Sequence, residues 1–343
     1  MATTRKLDYR FSSHGMETVF PSASPKIQTY KGAYISLTSN CNMNCSYCYA
    51  KTQPKGELSV ENFRQILDWL EEISDFKKVN LVGGEPTMVP HLEQLLEAIA
   101  ARSWTATIYT NGIFGSEQCN LLKEHPGVSQ IVFHYNTVFF SDSGNTKKII
   151  ARNLSELADT KECSFIFVIS ELDFDYTEPL SMAEKEGLSL TWIFATPTSG
   201  NSPYMGLKTM CQAGSKVQEF LIEADKKGIM TAPDLSVPLC IFSEDFLNEY
   251  KDRFSLVKKC MPFIYFLPDM STQSCTSMPC HCSKPLDNAD SLRKTIESYR
   301  EKDQVLKRTV SFPECIDCKY HLDRTCQGGC MTYKMYASKE KEL

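Results

Sequence analysis

Three cysteines lie within eight residues near the start of the chain. Cys41, Cys45 and Cys48 are spaced C-x3-C-x2-C, and the apolar stretch before them, residues 33–37, is typical of a buried strand. A loop at the carboxyl end of a strand is where open α/β sheets and barrels place their chemistry. Three converging thiolates can hold an iron–sulfur cluster. Because the loop offers three thiolates, a four-iron cluster would keep one iron free for another ligand.

Cysteine is abundant in the rest of the chain as well, with fifteen in 343 residues. The N-terminus has no apolar signal-peptide core, so we expect a cytoplasmic protein, in which thiols stay reduced, and this argues against a disulfide framework. Cys119, Cys163 and Cys211 stand alone in periodic segments and are interpreted as buried free thiols. The remaining twelve cluster towards the two ends of the chain, which favours metal binding over scattered thiols.

Charge and hydropathy exclude two kinds of partner. The net charge of −5 gives no electrostatic reason to expect binding to nucleic acid or to an anionic membrane surface. No apolar run approaches the roughly 20 residues that a membrane-spanning helix needs. The length allows two domains, or one barrel with an extension.

From about residue 31 to residue 200, apolar strands alternate with amphipathic helices. Such an alternation predicts an α/β fold with a parallel sheet or a partial barrel, in which right-handed crossovers place the helices outside. Ser59 is a good N-cap for the first of these helices. The predicted strands cover 33–37, 79–82, 106–110, 130–135, 164–169 and 188–195, and the predicted helices cover 59–74, 92–99, 147–157 and 179–186.

The composition changes along the rest of the chain. Residues 208–227 predict one long helix, residues 263–271 predict a hairpin with its turn at 268–271, and residues 289–307 predict a further helix. We therefore divide the chain into an N-terminal extension (1–30), a partial barrel (31–205), a bridging helix (206–235) and a cysteine-rich C-terminal domain (236–343).

The three-cysteine loop resembles the signature of the radical S-adenosylmethionine (radical SAM) superfamily. A structural zinc site is the alternative, but such sites usually take four ligands in paired C-x2-C form. The resemblance implies a partial (β/α)6 TIM-like barrel and a [4Fe–4S] cluster held by Cys41, Cys45 and Cys48. It also implies that the free iron binds S-adenosylmethionine, whose reductive cleavage gives a 5′-deoxyadenosyl radical that abstracts a hydrogen atom from a substrate.

Further segments resemble the cofactor-binding segments of the same family. Gly83, Gly84, Glu85 and Pro86 follow the second predicted strand, where the family binds the methionine amino group, and their glycines would let the backbone approach a ligand closely. Tyr47 matches the aromatic position beside the adenine. The other residues expected near the cofactor stand at the ends of later strands: Thr110, Asn111, Asn136, Ser170 and Thr196.

The C-terminal cysteines resemble those of the SPASM (or twitch) extension of radical SAM enzymes, which holds one or two auxiliary [4Fe–4S] clusters. A zinc ribbon is the alternative, but there are more thiolates than one zinc ion needs. The resemblance assigns Cys240, Cys260, Cys275 and Cys330 to a first cluster, and Cys315, Cys318 and Cys326 to a second. The second cluster then lacks a fourth ligand, so it is open, absent, or completed by Cys280 or Cys282. These last two are otherwise candidate catalytic hydrogen-atom donors, or spare thiols.

The resemblance implies a radical SAM enzyme of oxidoreductase type, most readily one that modifies a peptide by cross-linking, thioether formation or epimerisation. A dehydrogenase or epimerase of a sugar or aminocyclitol is the second hypothesis, and an iron–sulfur electron carrier is the third. Sulfatase-maturating relatives carry an aspartate where Thr276 stands, which argues against oxidation of a serine or cysteine. The expected partners are the substrate, a reductant such as flavodoxin or ferredoxin, and a separate protein that binds a leader peptide.

Overall fold

The structure is a computed structural model that describes residues 10–12, 15–17, 33–135, 144–198, 203–257, 259–260, 263–278 and 283–336. Asn136, Cys280 and Cys282 lie outside the described residues. The strands are β1 Arg10–Ser12, β2 Gly15–Glu17, β3 Ala33–Ser36, β4 Lys78–Val82, β5 Thr105–Thr110, β6 Val128–Tyr135, β7 Glu162–Ile169, β8 Ser189–Phe194, β9 Thr231–Pro233, β10 Ile264–Phe266 and β11 Thr272–Gln273. The helices are α1 Val60–Ile73, α2 Leu92–Ala100, α3 Ser116–Glu124, α4 Gly144–Ala158, α5 Thr177–Glu186, α6 Leu207–Lys226, α7 Glu244–Tyr250, α8 Ala289–Arg308, α9 Lys319–Leu322 and α10 Thr332–Tyr336.

One large sheet organises the described part of the chain. Its nine strands run in the order β11-β10-β3-β4-β5-β6-β7-β8-β9, while β1 and β2 form a separate antiparallel pair. Neighbouring strands from β10 to β9 pair in parallel, and β10 and β11 form an antiparallel hairpin. The predicted α/β fold with a mostly parallel sheet is confirmed, and its six predicted strands begin and end within two residues of the observed ones.

Local sequence accounts for the start of α1. The Ser59 side chain accepts a hydrogen bond from the Asn62 N–H and so caps α1, as its position predicts. The connection between β5 and β6 is different, because the sequence analysis places no helix there and the structure has α3. This short helix buries the side chains of Cys119 and Leu122. Two apolar contacts in nine residues leave too little periodicity to predict a helix.

The sheet separates two sets of side chains because successive residues of a strand point to opposite faces. In β3, Ala33 and Ile35 belong to the main core, which includes the buried faces of the helices. Tyr34, between them, belongs to a second cluster that includes Tyr265 and has Tyr109 packed against it. The face that carries Tyr34 is therefore the inner face of the curved sheet, where the helices do not cover it.

The predicted C-terminal hairpin forms and joins the barrel sheet. Residues 264–266 of β10 pair in register with residues 33–35 of β3, and Met270 takes a left-handed φ of 67° in the turn. Helix α8 packs against α1, where Arg293 and Glu72 form an ion pair of 2.9 Å. Within the described residues, no helix is long and apolar enough to cross a membrane.

Candidate active site and thiol sets

The three-cysteine loop leaves β3 and brings its thiols together. Cys41 is exposed, while Cys45 and Cys48 are partly buried, and the Met43 N–H donates to the Cys41 Sγ at 3.4 Å. Burial and the neighbouring Cys48 and Cys41 raise the pKa of Cys45 to about 11. Metal binding displaces the protons of coordinating thiols. The donor set therefore fits a cluster bound by three thiolates.

Gly83 and Gly84 make room for the chain that leads into this loop. A Cβ atom on Gly84 would lie 2.0 Å from the Asn40 carbonyl oxygen, and one on Gly83 would lie 2.6 Å from that of Thr38. The same backbones are hydrogen-bonded, with the Gly84 N–H donating to the Thr38 carbonyl at 2.6 Å. These glycines are predicted to let the backbone approach a ligand closely. In the structure, what approaches them is the backbone just before Cys41.

Glu85 is a buried carboxylate that joins the ends of β4 and β5. One carboxylate oxygen accepts hydrogen bonds from the Thr87 N–H, the Thr87 hydroxyl and the Thr110 hydroxyl, at 3.1, 2.8 and 2.7 Å. The other accepts from the Asn111 N–H at 2.8 Å. Burial raises the pKa of Glu85 although these donors oppose the change. Four donors meet most of what a carboxylate can accept, so Glu85 fixes the geometry of this edge of the sheet.

Asn111 connects the end of β5 to the cysteine loop. Its Nδ2 donates to the Asn42 side-chain oxygen at 2.8 Å and lies 3.9 Å from the Cys41 Sγ. Its Oδ1 accepts from the Ile113 N–H, while the Asn42 Nδ2 donates to the Ile113 carbonyl. Asn111, which is predicted to lie near the cofactor, thus also positions Cys41, the first cysteine of the loop.

A cavity of about 250 Å³ lies at the carboxyl edge of the strands. Most of the predicted cofactor residues line it, as do the loop thiols: Cys41, Tyr47, Cys45, Cys48, Gly83, Gly84, Glu85, Thr110, Asn111 and Thr196. Pro86 is buried at the start of the 3-10 turn Pro86–Met88, and neither Pro86 nor Ser170 is among the lining residues. The prediction for Asn136 falls outside the described residues.

An aromatic wall, which the sequence analysis does not predict, lines the inner face of the sheet. It consists of Tyr34, Tyr49, Tyr109, Phe263 and Tyr265. The Tyr34 and Tyr109 hydroxyls are 3.4 Å apart, and those of Tyr49 and Tyr265 are 3.5 Å apart. The signal for this wall is present in β3 and β5, where Tyr34 and Tyr109 alternate with small or aliphatic residues.

Two polar side chains interrupt the aromatic wall. The ring of His134 opens into the cavity although protein surrounds it, and this enclosure lowers its pKa to about 4. Asp234 follows β9, whose pairing with β8 continues as the Asp234 N–H donates to the Trp192 carbonyl. Burial raises the pKa of Tyr34, Tyr109 and Cys330, and the nearby Asp234 adds to each of these shifts. Besides Glu85, the cavity therefore contains a neutral imidazole and a second carboxylate, which lies near both the barrel and the C-terminal region.

The first thiol set, defined as Cys260, Cys275 and Cys330, also lines this cavity. Burial raises the pKa of all three, and Cys330 adds to the effect on Cys260 and Cys275. Asp303 of α8 is 2% exposed and lies near Cys260 and Cys275, where burial raises its pKa to about 6. The set matches the cysteines of the predicted first cluster with one exception, Cys240.

Cys240 lies near C-terminal cysteines that do not belong to the first thiol set. Its electrostatic neighbours are Cys211, Cys326 and Cys315, and Cys315 in turn neighbours Cys318. We call Cys240, Cys315, Cys318 and Cys326 the second thiol set. Lys334 lies between the two sets, near Cys260 on one side and near Cys315 and Cys326 on the other, and its Nζ donates to the Leu306 carbonyl at 3.0 Å.

The cysteines interpreted as isolated divide into two kinds. Cys119 and Cys163 are buried, as predicted, but Cys211 is exposed and its thiol is within hydrogen-bond contact of Cys240. Within the described residues, no three His, Cys, Asp or Glu side chains are placed to hold a single metal ion. A four-iron cluster spreads its thiolates over separate corners and suits widely spaced sets.

Comparisons with known proteins agree with this geometry. Residues 35–158 match the model of the radical SAM superfamily. The chain contains a radical SAM domain. An S-adenosylmethionine-dependent nucleotide dehydratase of Flammeovirga pacifica is 32% identical over 129 residues, which cover 35% of this chain and 42% of that protein. The subtilosin biosynthesis protein AlbA of Bacillus subtilis is 28% identical over 123 residues, or 35% of this chain and 27% of that protein. The chain thus spans well under half the length of these relatives.

The radical SAM domain and the region beyond it are also similar to a solved structure. SuiB of Streptococcus suis bound to S-adenosylmethionine gives a TM-score of 0.62 at 13% identity, covering 91% of this chain and 74% of that one. SuiB bound to its precursor peptide SuiA gives 0.65 at 14% identity, covering 91% and 73%. At this identity the similarity establishes the fold. Together with the superfamily match, it confirms the prediction of an α/β barrel of radical SAM type.

Proposed function

We propose that the protein cleaves S-adenosylmethionine reductively and abstracts a hydrogen atom from a peptide. The observation that carries this proposal is a single cavity with thiols on two sides. The three-cysteine loop lines one side, and the first thiol set lines another. A substrate held between them lies within reach of both a radical source and a second redox centre.

The residues around the loop fit the cofactors that this chemistry requires. Cys41, Cys45 and Cys48 would hold the cluster, while the backbone at Gly84 and the side chain of Asn111 position the loop. When bound, the cluster and S-adenosylmethionine supply a 5′-deoxyadenosyl radical for removal of a hydrogen atom from an unactivated carbon. Tyr47 and Thr196, which also line the cavity, are proposed to contact the nucleoside part.

The rest of the cavity suits a substrate radical that is then oxidised. The aromatic wall offers largely apolar ring surfaces to the reacting carbon, and its hydroxyls lie in pairs within hydrogen-bond distance of one another. Asp234 is the carboxylate on this wall that we propose as the acceptor of a proton from the substrate. The first thiol set, with an auxiliary cluster, would accept the electron. We propose a further auxiliary cluster on the second set and a flavodoxin or ferredoxin as the external reductant.

A peptide substrate is supported by two of the comparisons. SuiB, whose fold the chain shares, has been solved with its precursor peptide, and AlbA takes part in the biosynthesis of a bacteriocin. We propose that a separate protein presents the leader segment of the peptide. Candidate peptides are chosen from reading frames beside the gene and are synthesised with deuterium labels. Transfer of the label to 5′-deoxyadenosine identifies both the substrate and the carbon that loses hydrogen.

The first test is uncoupled turnover. The iron-loaded, reduced protein is expected to convert S-adenosylmethionine into methionine and 5′-deoxyadenosine without substrate. Cys45→Ala is expected to abolish this activity, whereas Cys163→Ala, a matched change of a buried thiol outside the thiol sets, is expected to retain it. A fully loaded protein that forms no 5′-deoxyadenosine would identify an electron carrier instead.

A small-molecule substrate is the second candidate, because the relative from Flammeovirga pacifica acts, by its name, on a nucleotide. This candidate includes the dehydrogenase or epimerase of a sugar or aminocyclitol. An epimerase needs a hydrogen-atom donor, and the sequence offers Cys280 and Cys282. Each is replaced by alanine and assayed in heavy water. If neither replacement changes turnover or deuterium incorporation, the donor hypothesis is rejected.

A further inference from the structure

The surroundings of Cys240 differ from those that the family pattern assigns to it. Cys240 lies in the 3-10 turn Leu239–Ile241, and α6 packs against this turn. The contact requires Gly214, because a Cβ atom there would lie 2.0 Å from the Ile241 carbonyl oxygen. Cys211 lies three residues before Gly214, one turn earlier on the same side of the helix. The close packing therefore brings the Cys211 thiol against Cys240.

Two glycines connect the same turn to the remaining cysteines of the second thiol set. Gly328 has a φ of +80°, and a Cβ atom there would lie 2.6 Å from the Ser311 Oγ and 3.3 Å from the Cys315 Sγ. Gly329 also has a φ of +80°, and a Cβ atom there would lie 3.0 Å from Pro238. The loop from Cys326 to Cys330 is thus packed between the segment before Cys315 and the segment before Cys240.

The loop also divides its two cysteines between the sets. The Gly328 N–H donates to the Cys326 Sγ at 3.3 Å, and the Thr332 hydroxyl donates to the Cys330 Sγ at 3.2 Å. Cys330 is 4% exposed and lines the cavity, whereas Cys326 neighbours Cys240 and Cys315. Cys260 and Cys275 also line the cavity, whereas Cys240 is not among the lining residues.

We propose that Cys240 is the fourth ligand of the second auxiliary cluster and that the Cys211 thiol donates a hydrogen bond to its sulfur. This inference rests on the auxiliary clusters of the proposed function. It gives the second cluster four cysteines, Cys240, Cys315, Cys318 and Cys326, without a contribution from the chain beyond Tyr336. It leaves the first cluster with the three described thiols that face the cavity. Cys211, which approaches Cys240 from α6, is assigned the role of a positioning residue and not of a ligand.

A hydrogen bond to a coordinating sulfur withdraws electron density from it, which raises the reduction potential of a cluster. The expected effects of the two cysteines therefore differ. Loss of Cys240 removes iron from the protein. Loss of Cys211 leaves the iron in place and lowers the potential of the second cluster, and Cys211→Ser, which keeps a hydroxyl donor, restores part of the shift.

The experiment uses full-length protein in which Cys41, Cys45 and Cys48 are alanine, so that the remaining iron is auxiliary. In this background Cys240→Ala, Cys326→Ala and Cys275→Ala are each expected to lose one cluster of iron. The double variant Cys240→Ala/Cys326→Ala is expected to lose no more than either single variant, because both residues hold the same cluster. The double variant Cys240→Ala/Cys275→Ala is expected to lose the iron of both clusters. Iron per chain and Mössbauer spectra report the counts, with Cys163→Ala as the control.

The reverse pattern, in which Cys240 and Cys275 depend on the same cluster, would overturn the assignment. Loss of iron in Cys211→Ala, to the extent seen in Cys240→Ala, would make Cys211 a ligand and overturn its role as a donor. Circular dichroism and gel filtration on each variant identify misfolding, in which case Cys318→Ala, tested in the same pairings, replaces Cys326→Ala. Because the background has no loop cluster, these results do not depend on 5′-deoxyadenosine formation, and the two proposals can fail separately.

Discussion

The three-cysteine loop and the C-terminal thiol sets bring their cysteines together in different ways. The loop takes its ligands from one short segment, and its position follows from a strand end and the two glycines that meet its backbone. The C-terminal sets take ligands from segments that are distant in sequence, and packing through Gly214, Gly328 and Gly329 brings these segments together. A local set of ligands can therefore be grouped from sequence, whereas a dispersed set requires the tertiary structure.

The comparison predicts a large difference in response to iron removal. The barrel has a continuous parallel sheet and a large apolar core, while the described segment 311–336 has short helices and three of the four cysteines of the second set. We expect removal of the clusters to raise hydrogen exchange in 311–336 by roughly tenfold or more, because metal binding and folding are coupled in such segments. Exchange in β5 is expected to stay the same, as measured by mass spectrometry on loaded and iron-free protein.

Equal protection of 311–336 in both forms would contradict this expectation. It would mean that apolar contacts alone, such as the packing of Phe312 on Tyr333, hold the segment. Exposure of the loaded protein to oxygen provides a second route to cluster loss and is expected to give the same exchange pattern.

Gly84→Ala tests how closely the barrel positions its loop. The new Cβ atom has no room beside the Asn40 carbonyl, so the loop must move. We expect a loss of about 3 kcal/mol in the free energy of unfolding, near the upper end of the usual range for overpacking, together with loss of the loop cluster. Denaturant unfolding and iron analysis measure the two effects.

Two matched glycine variants sharpen this result. At Gly144, the first residue of α4, a Cβ atom meets nothing within 4 Å, so Gly144→Ala is expected to leave stability and iron unchanged. Gly329→Ala is expected to reduce the iron of the second thiol set and to spare the loop cluster. If Gly84→Ala retained the loop cluster, the close packing of the two backbones would not be what positions the loop.

The pH dependence of stability due to His134 tests the barrel side of the cavity without a change to any thiol. Its pKa is about 4 in the folded protein, whereas an unfolded histidine titrates near pH 6.5. The folded state therefore binds fewer protons between these values, and stability is lost as the pH falls below about 6.5. Since the ring opens into the cavity, solvent limits the effect, and we expect a loss of about 1 kcal/mol or less from pH 7.5 to pH 5.5.

The measurement compares denaturation of the wild type with that of His134→Gln at both pH values. The variant should lack this part of the pH dependence, while the parts due to other groups cancel in the difference. An identical slope in the two proteins would mean that His134 takes up protons freely when folded.

The smallest effect is expected where the C-terminal region meets the barrel surface. Arg293 and Glu72 pair across α8 and α1, but 40% and 58% of their side chains are exposed. Exposed ion pairs contribute little, so Arg293→Ala is expected to lower the free energy of unfolding only slightly. Lys185→Ala, which removes another exposed pair, is the control. A loss well above that of the control would show that α8 depends on this pair for its position.

The barrel and its cysteine loop were predictable because each signal is local. Strands with apolar residues, a loop of three cysteines and polar segments after strand ends can be found one at a time, and parallel pairing brings their carboxyl ends together. That reasoning places Gly84, Glu85 and Asn111 beside the loop. The contact of these glycines with the backbone of residues 38–40 was not predicted, because it joins two separate parts of the chain.

The features that were not predicted depend on which face of a strand borders the cavity and on contacts between segments that are distant in sequence. Tyr34 and Tyr109 follow an alternating pattern, but sequence alone does not say which face of the strand borders a cavity. Cys240 stands near no other cysteine in sequence, and its neighbours are known once α6 and the 326–330 loop are in place. The same holds for Asp234, which becomes a cavity residue because β9 extends the sheet.

The pairing of β10 with β3 bears on how the protein is made. During synthesis β3 emerges early, and β10 emerges after most of the chain. One edge of β3 therefore stays unpaired until β10 has been made. An unpaired strand edge can associate with other chains, and contacts between distant segments form slowly. The strand that leads into the three-cysteine loop is thus the last of the barrel to be completed. Loading of the loop with iron and completion of the sheet therefore compete in time with aggregation.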